Sequence, residues 1–302
     1  MNFLEGCPGL YCGRSLLTDG NWSDCGVCAR GFKSNESSAC VPCEDNLTLY
    51  DWFYLSFIAV FVLVLHWFFI DVVTKRRNIP QEVIIIHISA LFETALASLI
   101  TLHVTDPIGT YDVRSCKTKR LSDWYTLFYN PSPNYETLLY CTQEAVYPLY
   151  TMVFVFYSLG AIIMLLIRPL IVRKFLPKRG KLTVYAALYF YPILALSHAV
   201  GGGLIYYSFP YITIILTVLS SAAHFAFKLN QTMKSLLLSS VTDFKNIVVI
   251  LGHWLLQAFG IMAVATLKDI DIHPAMFIFV PFPALFYILT ARFTDPHKLH
   301  IE

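Results

Sequence analysis

Long stretches of the chain carry almost no charge, and short basic stretches separate them. A helix needs about 20 apolar residues to cross ~30 Å of hydrocarbon, and lipid requires every backbone group to be satisfied within the crossing segment. The pattern predicts spans near 52–73, 83–105, 145–167, 182–202, 208–227, 246–267 and 274–293. The expected fold is an all-α polytopic membrane protein: a seven-helix domain (50–293) behind a small N-terminal module (1–49), with a long loop (106–144) and a short tail (294–302). The fourth and fifth spans come from one run. From Leu182 to Phe227 there are 46 residues without Asp, Glu, Lys or Arg. As one helix that run would measure about 69 Å, so it is expected to turn, and Gly201-Gly202-Gly203 and Pro210 mark the place. One long helix with a re-entrant segment is the alternative.

Composition agrees with this reading. Apolar types make up 56% of the chain and charged types 14%, against roughly 25% charged in soluble domains. The net charge of +2 says little about partners; membrane lipid is expected as one, and nucleic acid is not. The start of the chain lacks the apolar core of a signal peptide, so the first span is expected to target the protein. The position of the basic residues sets the orientation. Fourteen of them fall on one side: Lys75, Arg76, Arg77, Arg168, Arg173, Lys174, Lys178, Arg179, Lys181, Lys228, Lys234, Lys245, Arg292 and Lys298. That side is cytosolic by the positive-inside rule. The N-terminus is then lumenal and the C-terminus cytosolic.

The N-terminal 49 residues carry six of the eight cysteines: Cys7, Cys12, Cys25, Cys28, Cys40 and Cys43. They also carry three Asn-x-Ser/Thr sequons, at Asn21, Asn35 and Asn46, which accept glycans only on the lumenal side. Two Cys-x-x-Cys pairs also fit a four-cysteine zinc site. An oxidising lumen favours disulfides, so no metal is expected. Three bridges are expected within the module, with the connectivity open. Cys116 and Cys141 are expected to bridge to each other and close the lumenal loop, whose aromatic residues Trp124, Tyr125, Phe128, Tyr129 and Tyr135 suit a membrane surface or the module.

Glu93 sits midway along the second span, where an acid costs about 2.5–3.5 kcal/mol or more. Two readings stand: a functional carboxylate in a wet cavity, or a protonated carboxyl that hydrogen-bonds a neighbouring helix. On the second, Glu93→Gln is expected to be nearly harmless. His66, His87, His103, His198, His224 and His253 lie in or near spans and read as neutral interhelical hydrogen-bonders. His66 and Asp71 have an H-x4-D spacing, but five helical residues put them about 140° apart. No P-loop, H-E-x-x-H or G-x-S-x-G motif is present, so no enzyme and no cofactor is expected. The third and seventh spans, ending Ile167-Arg168-Pro169 and reading Val280-Pro281-Phe282-Pro283, lack the signatures of rhodopsin-like receptors. An ion- or proton-coupled transporter built around Glu93 remains the alternative function.

Three segments carry a resemblance: Cys7-Pro-Gly-Leu-Tyr-Cys12-Gly-Arg14, the Cys25-x-x-Cys28…Cys40-x-x-Cys43 module, and Lys75-Arg76-Arg77-Asn78-Ile79-Pro80. Together they resemble the c-Jun N-terminal kinase-associated membrane protein family, from Met1 to about Asp295. The resemblance implies a seven-span resident of the endoplasmic reticulum membrane. It implies a non-enzymatic adaptor that links proteasomes and ubiquitin ligases to degradation of misfolded proteins. It also implies an influence on the duration of stress-kinase signalling. Every cytosolic segment is short, so partners are expected to bind loops, tail or spans rather than a folded cytosolic domain. Lys178, Arg179 and Lys181 followed by Leu182 and Val184 have the form of a kinase docking peptide, although any basic loop leading into a span looks like this.

Overall fold

The computed structural model describes residues 6–74, 81–128, 139–177, 180–228, 230–271 and 273–294. Lys75, Arg76, Arg77, Tyr129, Tyr135, Lys178, Arg179, Lys298, the Arg292 side chain and the tail beyond Thr294 lie outside the described residues. The described residues are mostly helical, and among them six helical segments are long and apolar enough to cross a membrane. It divides into two compact units, Met1–Tyr206 and Tyr207–Glu302.

The first unit opens with short antiparallel ladders. β1 (Cys12–Gly13) pairs with β2 (Gly26–Val27), and β3 (Phe32–Ser34) with β4 (Cys40–Pro42). β5 (Asp45–Asn46) pairs with β6 (Arg114–Ser115), which belongs to the loop after the second span. So little backbone pairing cannot hold a fold by itself. The disulfides Cys7–Cys25 and Cys28–Cys40 staple the N-terminal segment internally. Cys12–Cys141 and Cys43–Cys116 tie it to the loop.

Two expectations are corrected here. Cys116 and Cys141 do not bridge to each other, and the N-terminal segment closes two bridges of its own, not three. The physical reason is the β5–β6 pairing. It sets Asp45 opposite Ser115 and brings Cys43 alongside Cys116. Lys33 and Lys117 both hold the Asp45 carboxylate, at 3.4 and 3.1 Å, and reinforce the join. The Lys117 ammonium first, and Lys33 after it, keep that carboxyl below the usual carboxylate range. Residues 6–49 therefore fold as one layer with the described part of the loop.

α1 (Leu49–Thr74), α2 (Gln81–Val104) and α3 (Leu149–Phe175) pack on one another. Each buries one stripe at helical spacing, Tyr54, Ile58, Val62, His66 and Ile70 on α1 for example, and leaves the rest apolar and exposed. That pattern suits a helix whose outer face meets lipid. α1 starts where Thr48 and Asp51 cap each other: the Thr48 amide and hydroxyl donate to Asp51, and the Asp51 amide donates back to Thr48 Oγ1. This reciprocal arrangement satisfies donors that a helix start leaves open.

α4 (Lys181–Ala226) is a single helix of 46 residues, so the expected turn at Gly201-Gly202-Gly203 and Pro210 is not there. Each supposed breaker has a different job. A Cβ on Gly203 would stand 2.7 Å from Trp124 Cβ, and one on Gly202 3.3 Å from the Trp124 ring. These glycines let a loop tryptophan lie against the helix backbone. Pro210 has no N–H to offer the carbonyl one turn earlier, that of Tyr206. The Tyr50 hydroxyl donates to that carbonyl at 2.6 Å. A helix tolerates Pro within a span where a neighbour re-satisfies the freed group.

The second unit holds the C-terminal part of α4 with α5 (Met233–Thr242), α6 (Phe244–Leu267) and α7 (Phe282–Thr294), the last preceded by a 3-10 turn, Pro274–Phe279. Its core is Phe225, Leu236, Ile250, Ala284, Ile288 and Ala291. The Phe225 and Tyr287 rings stack with centroids 5.6 Å apart.

Candidate functional site

Four helices converge on Glu93. On α2 the buried positions run Ser89, Ala90, Glu93, Thr94, Ala97 and Thr101, the three- and four-residue spacing of one helical face. Thr94, Thr101 and Thr105 turn their hydroxyls back onto carbonyls one turn earlier, so these polar side chains cost little in lipid. On α3, Gly160, Met164, Arg168 and Val172 form the matching stripe. Both Glu93 and Arg168 are buried, at 1% and 0% exposure.

Arg168 grips Glu93 with two groups. Its Nη2 contacts Oε2, and its Nε donates to Oε1 at 3.3 Å. Ser89, one turn before Glu93, donates to Oε1 at 2.6 Å. The remaining nitrogen, Nη1, lies 2.8 Å from His66 Nδ1 on α1. Arginine only donates, so Nδ1 is the acceptor and Nε2 carries the imidazole proton. Nε2 lies 3.2 Å from the Tyr191 hydroxyl on α4. Gly160 makes room for that tyrosine, since a Cβ there would stand 2.5 Å from the hydroxyl oxygen.

The arrangement corrects two expectations. Arg168 is not a cytosolic loop residue, because α3 runs eight residues past Ile167 and carries the arginine into the bundle. Glu93 is not a lone protonated carboxyl but half of an ion pair. The pair is electrically closed, and its hydrogen bonds tie α1, α2, α3 and α4 together. Such a pair costs desolvation to form, and loss of one partner strands a charge, at about 3–5 kcal/mol.

A second polar cluster lies at the other end of the first unit. Tyr206 donates to Asp51 Oδ1 at 2.7 Å. The His198 ring nitrogens meet the Tyr54 hydroxyl at 3.3 Å and the Tyr150 carbonyl at 3.1 Å. Trp124 is buried among Tyr54, Tyr150, His198 and Tyr206, with ring centroids 5.1–6.4 Å away. The loop therefore docks on the helices through Trp124. Tyr147, where the loop meets α3, donates to Asp106. Burial first, and this bond after it, push its phenol up to about 12.

The structure scatters the other residues singled out in the sequence. Asn21, Asn35 and Asn46 are all exposed. The Asn35 side-chain oxygen accepts from the Ser37 amide and hydroxyl and from the Ala39 amide. Lys181, Leu182 and Val184 lie in the first turn of α4, where Leu182 and Val184 point about 200° apart; an extended docking peptide would set them on one side. His66 faces the ion pair, whereas Asp71 is exposed and meets His87 Nε2 at 3.2 Å. Among the described residues no group of three or more His, Cys, Asp or Glu is placed to hold a metal.

Arg168, Asp51 and Trp124 escaped the sequence reading as site residues. For Arg168 a signal existed: Leu170-Ile171-Val172 continue the apolar run beyond it, so the arginine lies inside the hydrophobic segment.

Comparison with known proteins bears on the whole chain. A family model described as "JNK1/MAPK8-associated membrane protein" matches residues 7–296. The proteins of that name from Homo sapiens and Mus musculus are each 44% identical over 304 residues, covering 98% of this chain and 96% of the relative. A homolog from Caenorhabditis elegans is 30% identical, covering 95% of this chain and 93% of the relative. No solved structure matches.

Proposed function

The chain belongs to the JNK1/MAPK8-associated membrane protein family, and from that premise we propose that it is a non-enzymatic adaptor of the endoplasmic reticulum membrane. In this reading it associates with the stress kinase that its relatives' name carries and influences how long kinase signalling lasts. It also brings proteasome and ubiquitin-ligase components to misfolded proteins leaving the lumen. The kinase association extends the relatives' name to this multi-pass chain. The other partners, the compartment and the adaptor role come from the resemblance noted in the sequence.

One observation supports an adaptor over a transporter: Glu93 is held by Arg168, Ser89 and a neighbouring His66 inside the bundle. A coupling carboxylate must exchange its proton or ion with water during transport. A carboxylate locked to a guanidinium serves to join helices.

The proposed topology has the disulfide-bonded layer in the lumen and the C-terminus in the cytosol. Counted as one crossing, α4 would put Lys228, Lys234 and Lys245 on the sequon side. Its 46 residues are more than twice the ~20 that cross hydrocarbon, and they expose apolar side chains from Leu182 to Leu219. Lipid must cover both halves, and two crossings need the helix to fold back, so in this reading α4 opens in the membrane near Tyr206 and Tyr207, unlike the continuous helix described above. Affinity purification of the intact protein in mild detergent tests the adaptor role. JNK1/MAPK8, proteasome and ligase components should co-purify above a matched control membrane protein. Recovery of none of them would remove the proposal.

A further inference from the structure

α5 is the element that the adaptor reading does not use. It spans Met233–Thr242, about 15 Å at 1.5 Å per residue, half of what a crossing requires. Thr232 caps its start, accepting from the Ser235 amide. Asp243 is extended, ends α5, and caps α6 by accepting from the Lys245 amide at 3.0 Å. α5 is thus a separate short helix strung between two apolar segments.

Its side chains sort into three directions. At about 100° per residue, Leu236 points one way and is buried with Phe225, Ile250 and Ala284. Ser235, Ser239 and Thr242 share a polar arc. Met233, Leu237, Leu238 and Val241 fill the remaining arc of about 140°, and all four are exposed. Lys234 lies within that arc, and exposed Phe227 and Phe244 flank the helix. Three lysines, Lys228, Lys234 and Lys245, stand here against one acid, Asp243.

The local bonds hold α5 close to the ends of its neighbours. Gln231 Nε2 donates to the carbonyls of Phe225 and Ala226, which end α4, and to that of Lys228 just beyond. Asn246 at the start of α6 donates to the Ser239 carbonyl at 3.1 Å, and Lys228 donates to Asn246. The helix is therefore pinned beside the end of α4 and the start of α6.

We propose that α5 lies in the membrane interface, with Met233, Leu237, Leu238 and Val241 among the acyl chains and Lys228, Lys234 and Lys245 at anionic lipid headgroups. A helix with an apolar face and lysines at its border binds such a surface through buried area plus charge. A lysine within the apolar arc reaches the headgroups by its long stem. The occupant follows from continuity: both neighbours of α5 already sit in the bilayer, so the lipid that covers them also reaches this face.

The test uses the intact protein in vesicles, without any protein partner. Every described cysteine is in a disulfide, so one introduced thiol is a clean reporter. Leu237→Cys and Ser235→Cys variants carry an environment-sensitive fluorophore. The vesicles are phosphatidylcholine alone or with phosphatidylserine, and iodide is present on both faces. The Leu237→Cys label should be quenched by lipids brominated near the headgroup. It should resist iodide several-fold better than the Ser235→Cys label, and the difference should widen with phosphatidylserine. Replacing the three lysines by glutamine should abolish that widening. Equal iodide quenching at both positions would overturn the proposal. Protection of the Leu237→Cys label only after addition of cytosol would overturn it too, by showing that a protein covers the face.

Discussion

Arg168 on α3 and Glu93 on α2 form an ion pair with side-chain exposures of 0% and 1%, in a bundle whose outer face is apolar. In water such a pair is worth little. Here each charge depends on the other, because neither has solvent to fall back on.

Glu93→Gln should therefore destabilise the protein markedly. It leaves the Arg168 charge buried with only Ser89, His66 and an amide near it, and the expected loss is about 3–5 kcal/mol. Arg168→Leu should cost a similar amount. The double variant Glu93→Leu/Arg168→Leu should recover most of the loss, since apolar replacement of a buried pair is often neutral. Thermal unfolding of the detergent-solubilised protein, followed by size-exclusion fluorescence, measures all three. A Glu93→Gln protein as stable as wild type would show that the ion pair does not hold the bundle.

The disulfide map predicts four linked peptide pairs in a digest made without reductant: Cys7 with Cys25, Cys12 with Cys141, Cys28 with Cys40, and Cys43 with Cys116. Mass spectrometry reads them directly. Cys12→Ser or Cys141→Ser should cost about 2–5 kcal/mol, the usual range for a native bridge. A Cys116–Cys141 peptide as the main product would contradict the joined layer.

Two of the three glycines of α4 separate by what they face. Gly203→Ala places a Cβ 2.7 Å from Trp124 Cβ, an overpacking that costs about 1–3 kcal/mol. Gly201 has nothing within 4 Å, so Gly201→Ala should be neutral or should stabilise by up to about 1 kcal/mol, the difference in helix propensity. Melting temperatures of the two variants decide. Equal effects would mean that Trp124 does not dock on the helix.

Topology has its own check. N-glycan removal should raise the gel mobility of the expressed protein, and the triple variant with Gln at Asn21, Asn35 and Asn46 should show no shift. Asn230, in Asn230-Gln231-Thr232, should stay bare on the cytosolic side. A glycan on Asn230 would reverse the orientation proposed for the C-terminal half.

The spans that the chain's pattern announces are those whose signal is local. α1, α2 and α6 fall close to the expected 52–73, 83–105 and 246–267, because 20-odd apolar residues leave lipid no other solution. What escaped depends on partners distant in sequence. Gly202 and Gly203 look like a turn until Trp124 is seen lying on them. Pro210 looks like a breaker until Tyr50, 160 positions earlier, supplies the missing donor to the Tyr206 carbonyl. The cysteine pairing could not be read because a two-residue ladder, β5 with β6, decides that Cys43 meets Cys116. Glu93 was legible as a cost, but its partner was not, since Arg168 sits near the end of an apolar run and resembles a positive-inside residue.

The central claim is that the buried ion pair builds the bundle and does not carry ions. It is tested most directly by the Glu93→Leu/Arg168→Leu protein in cells that lack the endogenous one. Recovery of JNK1/MAPK8 with the membrane protein, and the half-life of a misfolded lumenal client, are measured at matched expression. The account predicts that the double variant restores both to the level of wild type. A double variant that is present at normal levels and in the right membrane, yet restores neither, would contradict it and make the Glu93–Arg168 pair the working part of a transporter.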